Sequence, residues 1–401
     1  RRAIRNATRG GQGRRLRTAD YIELYAKWGY NLKLNDCNDA IEVNGERMSD
    51  LTEAEVLACV RDHSITSGDK VSITHAQDAM SVAAAQNHYH PIRDWLESLA
   101  WDGTDYIGDL AGYVIDQRGD FALWLRHWIV GAVAKVYEGY QNPMLVLVGS
   151  QELGKSFLAR WLCPQDTLFY AGSIQPDNKD CKLRLIDTLV WEVEELGSTT
   201  RRADVEALKA FLTTDVVRER KPYGHYDMTK PSLASFIGTV NPSTGFLVDT
   251  TGNRRFVVAD VEDIDWTYSD RLDPAQLWAQ AVNIYRSGND WQLTEEDRAY
   301  RDSVNEQHLL SDPVHEYLAE HVTVTSDPGD HIASSELQDY VAPHFNGLTP
   351  RSVSMSIASY LTARGVTKAR RTLDNGERAR YYFGVRYSQA RSTMQEEAGN
   401  G

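Results

Sequence analysis

Met144-Leu145-Val146-Leu147-Val148-Gly149-Ser150-Gln151-Glu152-Leu153-Gly154-Lys155-Ser156-Phe157-Leu158 joins an apolar run, a glycine-punctuated loop and an apolar-periodic stretch that continues through Trp161 and Leu162. That order predicts strand, loop, helix. The loop fits G-x-x-x-x-G-K-[ST], the spacing of the phosphate-binding loop of ATPases and GTPases. Two glycines let the backbone curl so that its N–H groups converge, and these donors together with the helix start hold phosphates. Gly149, Ser150, Gln151, Glu152, Leu153, Gly154, Lys155, Ser156 and Phe157 are therefore the candidate ATP-binding residues. Lys155 is expected on the β- and γ-phosphates and Ser156 on Mg²⁺. The competing reading, a glycine-rich turn without a ligand, is disfavoured by the flanking strand and helix.

The 401 residues suggest two to four domains. A hydrophobic content of 42% and a charged content of 25% describe an ordinary soluble globular chain. No apolar run approaches the ~20 residues that span a bilayer, so no membrane partner is expected. Cys37, Cys59, Cys163 and Cys181 are scattered without C-x-x-C spacing, which suits a reducing compartment without structural zinc. The chain starts at Arg1 with no signal peptide visible, and reads as part of something longer.

The net charge of −14 argues at first against a nucleic-acid partner, but the charge is unevenly spread. Residues 1–19 hold seven arginines and no acid; residues 351–391 hold nine Lys/Arg against Asp374 and Glu377. Each segment is near +7, leaving an acidic body. Local basic surfaces can then grip phosphate backbones while the bulk limits non-specific sticking.

The fold class expected is α/β: a P-loop NTPase core with a parallel sheet, preceded by a small α+β/helical region and followed by a winged-helix-like domain. Residues 1–19 read as a basic flexible tail and 20–85 as a small α+β domain, with a hairpin at Asn44-Gly45 and a helix starting at Ser49. Residues 86–140 form a helical lead-in. The ATPase core runs over 141–265, with further apolar runs at 185–193, 233–240 and 256–259 and a helical pattern over 204–213. Residues 266–310 look like a polar helical connector. In 311–388, Ser335 with Gln338 suggests a capping box, and Thr349-Pro350-Arg351 an N-cap and first-turn proline. Asp374-Asn375-Gly376 then turns a basic hairpin. Helix, turn, helix and basic hairpin is the order of a winged helix, which docks a helix in a groove and lays the hairpin on the backbone. Residues 389–401 read as a disordered tail.

A phosphate loop needs an acidic element. Glu192, Glu194 and Glu195 end an apolar strand; Glu192 and Glu194 are expected on one face and Glu195 on the other. Glu192 is the candidate for the metal shell with Ser156, and Glu194 or Glu195 for orienting the attacking water. Asn241 ends the next strand and suits a γ-phosphate sensor. Arg254 and Arg255, beside a turn and a strand, suit an arginine finger. Arg220, Lys221, Tyr223 and His225 combine cations and rings around a glycine turn, as a hairpin gripping single-stranded nucleic acid requires. Arg351, Lys368, Arg370, Arg371, Arg378 and Arg380 are the candidate nucleic-acid residues of the last domain.

The series GSQELGKS, WEVEEL, ALKAFLT, RKPYG, FIGTVN and FLVDTTGNRRF, with HPIRDWLESLAWDG upstream, resembles the virulence-associated E family, phage- and plasmid-type replication ATPases related to superfamily 3 helicases and AAA+ proteins. The resemblance covers roughly residues 85–260. It implies that Lys155 and Ser156 bind nucleotide and Mg²⁺, that Glu192 and Glu195 match the acidic motif, that Asn241 is the sensor, and that Arg254 or Arg255 acts on a neighbour's ATP. The acidic motif has Glu where AAA+ relatives usually have Asp-Glu or Asp-Asp. In such proteins the ATPase often follows an amino-terminal primase-polymerase on the same polypeptide.

These readings together predict an ATP-dependent helicase or translocase of phage or plasmid replication in a bacterial cytoplasm. It would work as a homo-oligomeric ring, expected as a hexamer, on single-stranded and forked DNA. The alternative is an ATP-switched, origin-binding initiator or regulator that does not unwind. A small-molecule P-loop kinase is a third class, against which the arginine pair and the basic carboxy-terminal segment argue.

Overall fold

The computed structural model describes residues 13–194, 196, 202–220, 227–241, 246–247, 253–288, 291–309, 312–325, 327, 329–372 and 378–388. They form two compact units, one up to residue 308 and one from residue 309.

The first unit opens with α1 (Thr18–Lys27), β1 (Leu32–Asn35), β2 (Ala40–Val43), β3 (Glu46–Arg47), α2 (Asp50–Ser67), α3 (Ile73–Gln86) and β4 (His88–Tyr89). The strands make one sheet in the order β3-β2-β1-β4. Asn44 (φ 56°) and Gly45 (φ 90°) are both left-handed in the β2–β3 turn, as a two-residue type I′ loop demands. Ser49 caps α2 by accepting from the Thr52 N–H. Of the basic tail, residues 1–12 lie outside the described residues. Its end is anchored rather than loose: Arg14 pairs with Asp20 at 2.6 Å, and the Leu16 N–H donates to the Lys70 carbonyl.

Next come α4 (Pro91–Ser98), α5 (Tyr106–Ala111), β5 (Val114–Asp116), α6 (Phe121–Glu138), β6 (Met144–Val148), α7 (Lys155–Trp161), β7 (Phe169–Ala171), α8 (Lys179–Arg184), β8 (Val190–Val193) and α9 (Arg202–Leu212). The unit ends with β9 (Val216–Arg220), β10 (Asp227–Pro231), β11 (Ser235–Val240), β12 (Phe256–Ile264), α10 (Tyr268–Arg271), α11 (Pro274–Ser287) and α12 (Glu295–Gln307).

A six-stranded sheet, β5-β12-β6-β11-β8-β7, organises this part. Its five inner and far strands are parallel, and only β5 runs antiparallel, on β12. The central strands are buried throughout, β6 and β11 at every position, which is why they read as continuous apolar runs. α6 is apolar on all sides and buried on nearly all of them. Trp128 of α6 donates its indole N–H to the Phe236 carbonyl of β11 at 2.9 Å, fixing helix to sheet.

Two expectations change here. The apolar stretch 185–193 is a strand only from Val190; Leu185 and Ile186 are buried in the turn that follows α8. The helices of 266–310 belong to the core rather than tethering it: Leu277, Trp278, Ala281 and Val282 of α11 are buried, and the Trp278 indole donates to the Leu162 carbonyl at 2.7 Å.

The second unit contains α13 (Pro313–His321), β13 (Val322–Val324), β14 (His331–Ala333), α14 (Ser334–Val341), α15 (Pro350–Ala363), β15 (Thr367–Thr372), β16 (Arg378–Phe383) and β17 (Val385–Tyr387). The sheets are β14-β16-β15 and β13-β17. Val353, Ile357, Tyr360 and Leu361 of α15 face a core shared with Leu318, Leu337 and Tyr382. Thr349 caps α15 by accepting from the Ser352 N–H at 3.2 Å, with Pro350 in the first turn. Ser335 does not cap α14. β14 runs straight into that helix, so Ala333 occupies the cap position and Ser335 lies inside the first turn. The hairpin turn at 374–376 and the tail 389–401 lie outside the described residues.

Candidate functional site

All the parallel strands end on one edge of the sheet. Val148 pairs with Val240 on one side and with Asp260 on the other, and Gly238 pairs with Val193. The loop 149–154 therefore leaves the middle of that edge, flanked by the end of β11 and by β12, which runs on past it to Ile264. Its tight path explains the glycines. A Cβ on Gly149 would lie 2.5 Å from the Val261 carbonyl oxygen. Gly154 has φ 90° and a Cβ there would meet the Trp266 ring at 2.9 Å. Glu152 is also left-handed, at φ 68°, a strained conformation for a residue with a Cβ.

Lys155 is buried and folds back over the loop, donating to the Gly149 carbonyl at 2.7 Å and the Ser150 carbonyl at 2.6 Å. Burial lowers its pKa from the ordinary lysine value. Ser150, Gln151, Glu152, Ser156 and Phe157 are exposed, and Leu153 is half-buried.

Glu192 sits in β8, two strands away from β6, at only 2% exposure. Its Oε1 is buried with no hydrogen-bond partner among the described residues. Burial raises its pKa, a hydrogen bond from the Ser156 side chain pulls it down, and the Glu194 charge raises it again. A buried carboxylate oxygen without a proton donor, next to the loop's serine, is a group whose charge a bound cation would satisfy. The donor set is hard oxygen, which fits Mg²⁺ held by one or two protein groups and completed by phosphate and water. Among the described residues no cluster of three or more His, Cys, Asp or Glu could hold a metal on its own.

Glu194 follows the last residue of β8, and its charge reaches Glu192. The strand ends at Val193, so the alternation stops, and Glu194 is exposed in a turn. Glu195 lies outside the described residues. Asn241 is exposed directly after β11, and the Val240 carbonyl before it accepts from the Gly149 N–H at 3.1 Å. The sensor candidate thus borders the start of the loop.

Arg254 and Arg255 are elsewhere. They lie in a 3₁₀ turn, Asn253–Arg255, just before β12, whose first residue Phe256 pairs with Met144, the first residue of β6. The arginines therefore sit at the opposite end of the sheet from the loop, about 16 Å away along a five-residue strand. α12 fixes this turn: the Asn305 amide donates to the Asn253 carbonyl at 2.8 Å and to the Phe256 carbonyl at 3.2 Å.

Both arginines line a cavity of about 620 Å³ together with Arg298 and Arg301 of α12, His127 and Gln141. Burial pushes the His127 imidazole down to about 4, helped by the charges of Arg301 and Arg298, so it is neutral at physiological pH. Both amide atoms of Gln141 are buried without a hydrogen-bond partner among the described residues. Arg301 is partly neutralised by Asp302 at 2.7 Å. The pair read from the sequence is half of a four-arginine pocket. Arg298 and Arg301 carry no such signal in the sequence, because they are distant from the pair and lie on a polar helix whose pattern resembles any solvated face.

β9 and β10 form an antiparallel hairpin closed by Arg220 opposite Asp227. Lys221, Tyr223 and His225 lie outside the described residues. In the second unit Arg351 is exposed in the first turn of α15, and every residue of β15 is exposed. Arg370 lies directly opposite Arg380. Lys368 stands 4.8 Å from the centre of the Tyr382 ring, and Arg371 5.7 Å from that of Phe383. Like charges directly across a ladder are destabilising without an anion between them.

The fold is similar to that of the apo NrS-1 C terminal region (305-718), at 12% identity over 91% of this chain and 98% of that one, with a TM-score of 0.50. The A form apo structure of the same region gives 10% identity, 92% and 100% coverage, and a TM-score of 0.51. At such identities the likeness is one of fold. No curated protein matches the chain. No helix among the described residues is long and apolar enough to cross a membrane. Residues 96–310, more than half of the chain, match the Virulence-associated protein E-like domain, and the chain belongs to that family.

Proposed function

We propose that this chain is an ATP-dependent DNA helicase or translocase of phage or plasmid replication, acting as a ring in a bacterial cytoplasm and built as the helicase portion of a longer primase-helicase. The single observation that carries this reading is the separation of two half-sites on one sheet. The loop with Lys155, Ser156 and the orphaned Glu192 oxygen is at one end, and four arginines are at the other. Neither half is complete. Stacked head to tail, one copy's arginines would meet the next copy's loop, as a heterologous, ring-closing interface allows.

In this P-loop, AAA+-like reading, Lys155 and the loop N–H groups hold the triphosphate. Ser156 and Glu192 would hold Mg²⁺, which when bound neutralises phosphate charge. Glu194 or Glu195 orients the attacking water, and Asn241 senses the γ-phosphate. Arg254 or Arg255 of the neighbouring copy stabilises charge in the transition state. The hairpin bearing Arg220, Lys221, Tyr223 and His225 would grip single-stranded DNA. The second unit, read as a winged helix, would lay Arg351, Lys368, Arg370, Arg371, Arg378 and Arg380 on the duplex phosphates.

The test is ATP hydrolysis with and without DNA, alongside unwinding of a forked duplex. Wild type should hydrolyse ATP faster with DNA and separate strands. Lys155→Ala should lose both activities while remaining folded by circular dichroism. Undiminished DNA-stimulated hydrolysis in Lys155→Ala would refute the site. Hydrolysis without strand separation would favour an origin-binding initiator or regulator.

A further inference from the structure

The loop 149–156 offers partners for phosphates and none for the base of a nucleotide. Beside it stand two large rings in solvent, Phe157 at 45% and Trp266 at 51% exposure. They stack on one another, with centroids 5.6 Å apart and planes at 10°. Phe157 directly follows Ser156. Trp266 approaches from the turn after β12, so close to Gly154 that only a glycine fits beneath it. The pair therefore borders the phosphate loop.

Trp266 is held in this exposed position. The Asp265 N–H donates to the Tyr113 carbonyl at 2.8 Å, and the Thr267 N–H to Asp265 Oδ1 at 3.0 Å. Tyr268 is buried, edge-on to Trp161 at 4.9 Å. The backbone on both sides of Trp266 is thus tied to the core while the indole is left in water. An aromatic pair fixed outward beside an anion cradle has the form of a stacking surface.

We propose that Phe157 and Trp266 form the platform on which the base of the bound nucleotide stacks; this rests on the reading of the loop as a triphosphate site. A ring inserted between them would need about 7 Å, two contact distances of ~3.5 Å, so the base lies on the outward face of the pair. The platform presents π-faces and one indole N–H. Such a surface rewards ring area rather than the hydrogen-bonding edge of the base. The substrate class is accordingly purine nucleoside triphosphates, with ATP and GTP bound comparably and UTP more weakly.

The test is calorimetric titration of the full chain with ATP, GTP, UTP and inorganic tripolyphosphate, for wild type, Trp266→Ala, Trp266→Phe and Phe157→Ala. Trp266→Ala should weaken ATP binding roughly tenfold or more, the size of a lost base–aromatic stack, and leave tripolyphosphate affinity unchanged. Trp266→Phe should recover most of the loss. Equal weakening of ATP and tripolyphosphate would mean that Trp266 only buttresses the loop at Gly154, and would overturn the proposal. So would unchanged ATP binding, including the case where Trp266→Ala instead abolishes self-association in sedimentation. A wild-type chain that binds tripolyphosphate but gains nothing from a base defeats the platform alone. One that binds neither defeats the triphosphate site itself.

Discussion

Lys135 and Lys155 are both buried lysines, and their surroundings differ in a way that separates structure from function. Lys155 finds two loop carbonyls within 2.7 Å, a geometry that a triphosphate would replace with stronger partners. Lys135, in the middle of α6, has no hydrogen-bond partner for its Nζ among the described residues; the Phe236 ring lies 5.8 Å away. Burial alone drives its pKa from 10.5 to about 8. Between those two values the unfolded chain binds a proton that the folded chain lacks, so stability rises with pH across that window. Below it, both states carry the charge and the full burial cost remains, roughly 3 kcal/mol at ~1.4 kcal/mol per unit. Lys135→Met should therefore stabilise the protein against urea at pH 7, and the gain should shrink toward zero by pH 10.5. An equal gain at both pH values would show that packing rather than charge is responsible. The sequence places Lys135 in an apolar helix but does not reveal that the helix is covered around Lys135 itself, which is what makes the charge costly.

Elements decide which sequence readings hold. The strand–loop–helix at 144–161 was legible because three local signals agree: a continuous apolar run, two glycines at fixed spacing and a 3.6-residue periodicity. The acidic strand was half legible. Glu192 is placed by the run before it, but the end of β8 at Val193 is set by tertiary pairing with Gly238, so Glu194 falls in the turn just beyond the strand. Trp266 was invisible because it stands in a polar stretch, and only the turn after β12 brings it to Gly154. That contact makes Gly154→Ala a sharp probe. The residue needs φ 90°, and the added methyl meets the indole at 2.9 Å. The variant should lose about 1–3 kcal/mol of stability from the strained backbone and bind ATP at least tenfold more weakly. Gly154→Ala with Trp266→Ala should relieve only the contact with the indole, leaving the backbone strain and the weakened nucleotide affinity, as read from thermal melts with and without ATP. In the second unit, β15 and β16 were legible as a basic hairpin from the turn signal Asp374-Asn375-Gly376, and their register adds the direct opposition of Arg370 and Arg380. If that pair grips phosphates, Arg370→Gln with Arg380→Gln should lower the slope of log affinity against log salt by about 1.8. An unchanged slope, measured by fluorescence anisotropy on a duplex, would remove the hairpin from the interface.

At the scale of the whole molecule, two charges of opposite meaning sit at opposite ends of one sheet. The orphaned carboxylate of Glu192 and the loop lie on the carboxyl edge, and Arg254, Arg255, Arg298 and Arg301 on the amino edge. The sequence supplied the arginine pair and the loop as neighbouring motifs about a hundred residues apart; it could not say that the strands place them about 16 Å from each other. That distance makes a cis finger unworkable, and it leads to a prediction about mixtures. Let one preparation carry Lys155→Ala and the other Arg254→Ala with Arg255→Ala. Each alone should be inactive, the first for want of a phosphate grip, the second for want of charge at the transition state. In a random equal mixture, an interface works when it joins an intact lysine from one copy to intact arginines from the other. For head-to-tail contacts that combination arises at about one interface in four. ATPase activity near a quarter of wild type, appearing only after the two are mixed and incubated to exchange subunits, is the expected result. If hydrolysis tolerates isolated competent interfaces but unwinding needs consecutive firing around the ring, strand separation should fall much further than hydrolysis. A mixture as dead as its parts, under conditions where labelled subunits do exchange, would mean that the arginines do not serve a neighbour's site.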